Sequence, residues 1–179
     1  MNARKLIKKG HEKSVINKFV DFYSSNSHQK MSVTKWSKNS ESFDALIKIG
    51  DQISWVEHAD IYRSNDEARE EYSYITPGEH PCPHSEHPIV APDSRIATAF
   101  VQVLEKKLIK QSYSATSTEY GKGFLLLTER DPGFCEDTLE EIRHQVRAHN
   151  FSDCGFFRCA YIGYRLNLQT KLCFEKIYL

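Results

Sequence analysis

The chain has 179 residues, 40% of them hydrophobic, which is enough to bury one core, and its length suits one domain. Lys+Arg and Asp+Glu both number 24, so the formal net charge is zero; this excludes nucleic-acid binding by bulk basicity but leaves room for a local basic groove. No apolar run approaches the roughly 18 residues that span a bilayer, and the basic start, Met1 to Gly10, lacks the apolar centre of a signal peptide, so a cytoplasmic protein with no membrane partner is expected.

The five cysteines, Cys82, Cys135, Cys154, Cys159 and Cys173, form no CxxC pair. An odd number with no obvious pairing fits reduced thiols, with Cys154, Cys159 and Cys173 as core residues in apolar surroundings. From His11 to Tyr23, Val15, Ile16, Phe19, Val20 and Tyr23 recur at the spacing of one helix face. Glu12 falls one turn before Ile16, beside the buried face at the start of that helix, where it either serves a site or only complements the helix dipole. Lys30 to Ser37 alternates like a strand. Ser42 to Arg63 then reads as a β-hairpin, with runs rich in Ile, Val, Trp and Tyr on either side of a tight Gly50-Asp51 turn.

That hairpin carries the chemistry. Asp44 opens its first strand and Glu57 sits in the middle of its second, on one face with Trp55, Ala59 and Ile61, while Val56, His58, Asp60 and Tyr62 share the other. An ionised carboxylate within an apolar strand is costly to bury unless paired or bound to a metal. Two of them on adjacent strands point to a divalent-cation site; the plainer alternative is a turn cap at Asp44 and a Lys or Arg partner for Glu57.

Residues 64 to 93 differ in character. A charged stretch from Asn65 to Tyr74 precedes Thr76-Pro-Gly-Glu-His-Pro-Cys-Pro-His-Ser-Glu-His-Pro88, where the prolines rule out regular structure and a lid or binding loop is expected. His80, Cys82, His84 and His87 are zinc-compatible ligands at close spacing, with His58 as a further candidate, but one loop with no standard finger spacing is equally a Pro-stiffened exposed segment. Tyr62, Arg63, Arg69, Tyr72 and Tyr74 mix basic and aromatic side chains, which suits stacking and phosphate contact or a solvated helix face.

A second helix is expected from Asp93 or Ser94 to about Tyr113, with Ile96, Phe100, Val103, Leu104 and Leu108 as its stripe and Arg95, Gln102, Lys106 and Lys110 toward a neighbouring face. Gly123 opens a continuous apolar run that fits a strand covered on both sides. Asp137 to His149 reads as a third helix through Leu139, Ile142 and Val146. Cys154 to Tyr164 and Lys171 to Leu179 read as two antiparallel strands. Three strands in succession, then alternation with helices, predict a single α/β domain with a mixed β-sheet flanked by helices.

This order, with Phe43-Asp44 and Glu57 where they fall, resembles the restriction-endonuclease-like nuclease superfamily, whose signature is Pro-Asp at the second strand and (Asp/Glu)-x-Lys in the third. The likeness covers about residues 11–128, with 64–93 as a lid-like insertion and 129–179 as an added helix and strands. Phe-Asp stands for Pro-Asp, and Glu57-His58-Ala59 departs from the pattern by lacking the lysine. The resemblance implies Mg2+ (or Mn2+) held by Asp44 and Glu57, with Glu12 as a third carboxylate. Lys106 (or Lys107) on the following helix would replace the strand lysine, and Arg95, Gln102, Arg63 and Arg69 would contact nucleic acid, DNA or RNA. It implies a metal-dependent phosphodiester hydrolase. The loss of the lysine keeps open an inactive interaction protein of immunity or phage-defence type on the same fold, and the His/Cys loop keeps open a small zinc protein. A protein partner or homodimer also stays open.

Overall fold

Strand β2 (Ala45–Ile49) pairs antiparallel with β3 (Gln52–Ile61), Ala45 opposite Val56 and Ile49 opposite Gln52. The turn between them is made by Gly50 at φ 58°, a left-handed conformation that glycine adopts without steric cost. Strand β1 (Met31–Trp36) adds to the outer edge of β2, completing a three-stranded meander. The computed structural model describes residues 3–38, 41–62, 76, 92–130, 134–149, 151, 154–166 and 171–177. The lid-like insertion expected over 64–93 therefore lies almost wholly outside the described residues.

Helix α1 (Ala3–Asn26) precedes the meander, and α2 (Pro92–Leu108) follows it. A 3-10 turn (Gln111–Tyr113) and a short helix α3 (Ser114–Tyr120) lead into β4 (Gly123–Glu129), which lies parallel to β3. Helix α4 (Glu136–His149) then connects to β5 (Phe157–Tyr164), parallel to β4, and β6 (Cys173–Ile177) closes the sheet antiparallel to β5. The six strands stand in sequence order, β1 to β6, in one mixed sheet of a single α/β domain.

Two hydrophobic cores sandwich the sheet. Val15, Ile16 and Phe19 of α1 pack with Ala45, Ile47, Val56, Phe124 and Leu126 on one face. Ile96, Phe100 and Leu104 of α2 and Leu139, Ile142 and Val146 of α4 pack with Leu46, Trp55, Leu125 and Leu127 on the other. All seven residues of β4 are buried, because alternate side chains enter different cores; this is why its sequence reads as an unbroken apolar run. Trp55 is fully buried and donates its indole N–H to Gly121 O at 2.8 Å. A Cβ on Gly123 would lie 2.4 Å from that indole, so the start of β4 has room only for glycine.

Three boundaries differ from expectation. Helix α1 begins at Ala3, two turns before His11; its first turns hold no buried residue and leave Leu6 50% exposed, so no apolar stripe marks them. Helix α2 stops at Leu108, and Tyr113 instead turns inward to full burial. The unforeseen α3, of sequence SATSTEY, has weak propensity and no apolar period. Tertiary contacts hold it: Tyr120 against Phe43 at 6.4 Å, and Thr116 Oγ1 bonded to Ser42 Oγ at 2.7 Å. Cys135, Cys154, Cys159 and Cys173 are free thiols, and Cys82 lies outside the described residues. No helix among the described residues is long and apolar enough to cross a membrane.

Candidate functional site

The site forms where β2 parts from β3. Asp44 N–H donates to Val56 O at 2.9 Å, the last backbone bond before the strands diverge. Past that point the His58 N–H would lack a strand partner, and it donates instead to Asp44 Oδ2 at 2.7 Å. Asp44 and Glu57 directly follow the Ala45–Val56 pair on the two chain segments, and both line the same cleft. Glu57 is only 8% exposed, and its Oε1 accepts from Lys107 Nζ at 2.5 Å and from Tyr113 OH at 2.9 Å. Glu12 reaches the same place from α1. All three carboxylates line one cleft of about 360 Å³.

Their proximity shows in their acidities. Burial, then repulsion by Glu57 and Glu12, pushes Asp44 up to about 7, against the opposing His58 N–H bond and the Lys107 charge. Burial also raises Glu12, helped by Asp60 and Glu57 and opposed by Lys8, which lies 3.8 Å from it. Tyr113 is pushed well above its ordinary value, first by burial and then by the Glu57 charge, so it stays a phenol and a donor. Such perturbed groups gathered in a cleft are a mark of functional sites.

The rim of the cleft is basic. Lys5, Lys8, Lys9 and Lys13 of α1 line it, at spacings that keep them on one helix face. Two of them are held in place, Lys9 by donating to Ser37 O at 3.1 Å and Lys13 by lying over the Trp36 ring at 5.3 Å. Lys38 and Lys110 stand on the other walls.

The expected residues fare unevenly. Asp44, Glu57 and Glu12 come together. Lys107, rather than Lys106, meets Glu57; Lys106 is exposed, since it falls one position, about 100°, round the helix. Arg95 and Gln102 are also exposed on α2 and do not line the cleft, whose basic side chains come instead from α1, Lys38 and Lys110. Arg63 and Arg69 lie outside the described residues, as do the zinc candidates His80, Cys82, His84 and His87. Sequence reasoning missed Tyr113, whose role depends on the end of α2, and the α1 lysines, whose spacing is legible once the helix is known to begin at Ala3.

It also missed a second cluster behind the cleft, on the α1 face of the sheet. His11 Nε2 lies 2.9 Å from Asp60 Oδ1, and His58 Nε2 lies 3.5 Å from the same oxygen. His58 Nε2 is 3.0 Å from Thr128 Oγ1, and Arg130 Nη1 is 3.3 Å from His11 Nδ1. Burial drives His58 down to about 4, so it is a neutral imidazole at physiological pH. Burial alone would raise Asp60, but the His11 bond, the neighbouring His58 and His11 rings and the Arg130 guanidinium outweigh it and hold the carboxyl below its usual range.

Comparison with protein-family models, with curated proteins and with solved structures finds no match to this chain.

Proposed function

We propose that this chain is a divalent-cation-dependent phosphodiesterase acting on nucleic acid, built on a restriction-endonuclease-like core. The observation that carries the proposal is the meeting of Glu12, Asp44 and Glu57 in one cleft beneath a rim of lysines. The run α1–β1–β2–β3–α2–β4, with β4 parallel to β3, supports the reading, as does Asp44 just before the second strand in the same cleft as Glu57.

The donor set fits Mg2+ or Mn2+. Three carboxylates offer hard oxygens; burial first, and then their mutual repulsion, raises the pKa of Asp44 and Glu12, and a cation between them would relieve that repulsion. Asp44 and Glu57 would hold the ion, with Glu12 as a third ligand. When bound, the ion supplies an acidified water and neutralises charge that develops on the phosphate. The chain supplies the rest. Tyr113 and the His58 N–H hold Glu57 and Asp44 in place. Lys107 brings to Glu57 the positive charge that β3 lacks at Ala59. The α1 lysines give the phosphate backbone a basic track across an otherwise neutral protein.

The experiment is cleavage of plasmid DNA and of structured RNA by the pure protein, with Mg2+, Mn2+ or chelator. Cleavage is expected to need the ion and to be lost in Asp44→Ala; equal activity in the variant rejects this site. One observation favours a second reading, a binding protein without catalysis. Lys107 and Tyr113 together already neutralise and hydrogen-bond Glu57 without an ion. Calorimetry that finds no Mg2+ or Mn2+ binding, with nucleic-acid or protein binding intact, selects that reading.

A further inference from the structure

We propose that His11, His58 and Asp60 form a second cation site, distinct from the carboxylate cleft and suited to zinc or another borderline divalent ion. The three residues come from two elements far apart in sequence, α1 and β3, and each brings one ligand atom within 4.8 Å of the others. The two imidazole Nε2 atoms both approach the same Asp60 oxygen, at 2.9 and 3.5 Å, so the three ligand atoms gather around one region. Two histidines and one carboxylate are the donor set of three-ligand zinc sites, in which the fourth position is left to water. The cleft offers only oxygens and favours a harder ion. The two sites therefore differ in the metal they select.

The site is built into the fold. Strand alternation sends His58 and Asp60 to the α1 face while Glu57 goes to the other. Asp60 and His58 side chains are 6% and 2% exposed, and His11, at 20%, provides the opening to solvent. Thr128 Oγ1, 3.0 Å from His58 Nε2, turns its proton away when that nitrogen ligates. Arg130 works against the ion. Its Nη1 lies 3.3 Å from His11 Nδ1 and 3.4 Å from the Nε2 that would ligate, so its charge stands beside the ligand atom and repels an incoming ion. Arg130 and the metal therefore compete for one place beside His11.

The test is titration of chelator-treated full-length protein with Zn2+ by calorimetry, and with Co2+ by visible absorption, which reports tetrahedral nitrogen ligation. Wild type is expected to bind. His11→Ala, at the least buried ligand, and Asp60→Asn are each expected to weaken binding by more than the roughly 10–100-fold that loss of an outer partner costs. Arg130→Gln is expected to tighten binding several-fold, an effect that no merely structural cluster would give. Asp44→Asn is expected to leave zinc binding unchanged while abolishing Mg2+-dependent cleavage, which separates this site from the proposed function. Circular dichroism checks that each variant folds, and His11→Ala decides if Asp60→Asn does not. The proposal is overturned if wild type binds no zinc, if binding survives in folded His11→Ala, or if it is lost only when His80, His84 and His87 are replaced together.

Discussion

Asp44 is held in a place where its charge is unwelcome, and Asp44→Asn tests this directly. Its value near 7 in the folded protein lies above the ordinary 3.8, because the cleft buries it beside Glu57 and Glu12. Below pH 4 it is protonated in both folded and unfolded chains, and its stabilising contribution is complete. Between pH 4 and 7 the unfolded chain gives up a proton that the folded chain keeps, so that contribution is lost as pH rises. A shift of this size corresponds to roughly 4 kcal/mol, reduced to about 2–4 kcal/mol for a half-buried carboxyl that water still reaches. Asparagine keeps an oxygen to accept the His58 N–H but carries no charge. Urea unfolding followed by tryptophan fluorescence should therefore find the variant equal to wild type at about pH 3, below the unfolded value, and more stable at pH 8. Mg2+ at a hundred times its dissociation constant should return about 2.7 kcal/mol to wild type at pH 8 and nothing to the variant. A variant less stable than wild type at pH 8, or a gap that does not change with pH, refutes the crowded-carboxylate account.

Lys107→Met leaves Glu57 buried without its cation and should cost about 3 kcal/mol at pH 8, most of which Glu57→Gln in the same chain restores in a double-mutant cycle. Tyr113→Phe removes a buried donor to a charged acceptor and should cost about 1.5–3 kcal/mol by denaturant titration, with the fold unchanged by circular dichroism. Lys8→Ala should lower the salt slope of nucleic-acid binding by about 1, read by fluorescence anisotropy across ionic strengths, whereas Lys106→Ala, away from the cleft, should leave it unaltered. Gly123→Ala places a methyl 2.4 Å from the Trp55 ring and should destabilise by about 1–3 kcal/mol or more, with a shift in tryptophan emission.

Much of this architecture is legible in the sequence, because its elements announce themselves by period. The Gly50-Asp51 hairpin, the apolar run of β4 and the stripes of α2 and α4 are local signals that tertiary packing reinforces. Asp44 and Glu57 fall close together because they stand on the two arms of one hairpin, and this is why the carboxylate pair is legible in the sequence. What escaped depends on long-range placement. Whether Lys106 or Lys107 meets Glu57 turns on the rotation of α2 against the sheet, which periodicity fixes to no better than one residue. Tyr113 enters the core because α2 stops short, and no stop signal stands at Leu108. His58 and Asp60 were visible as two positions on one strand face, but their partner His11 lies 47 residues from His58, and nothing in the sequence records which turn of α1 crosses β3. In the sequence Lys5, Lys8 and Lys9 register only as a basic start that lacks the apolar centre of a signal peptide, since the helix carrying them has no buried residue there.

A divalent cation held by Glu12, Asp44 and Glu57 will show itself by anomalous diffraction from crystals soaked in Mn2+. An anomalous peak between the Asp44 and Glu57 carboxylates, with Glu12 turned toward it, is the predicted result. A saturating soak that leaves this cleft without a peak, with Glu57 still held by Lys107 and Tyr113 alone, would contradict it.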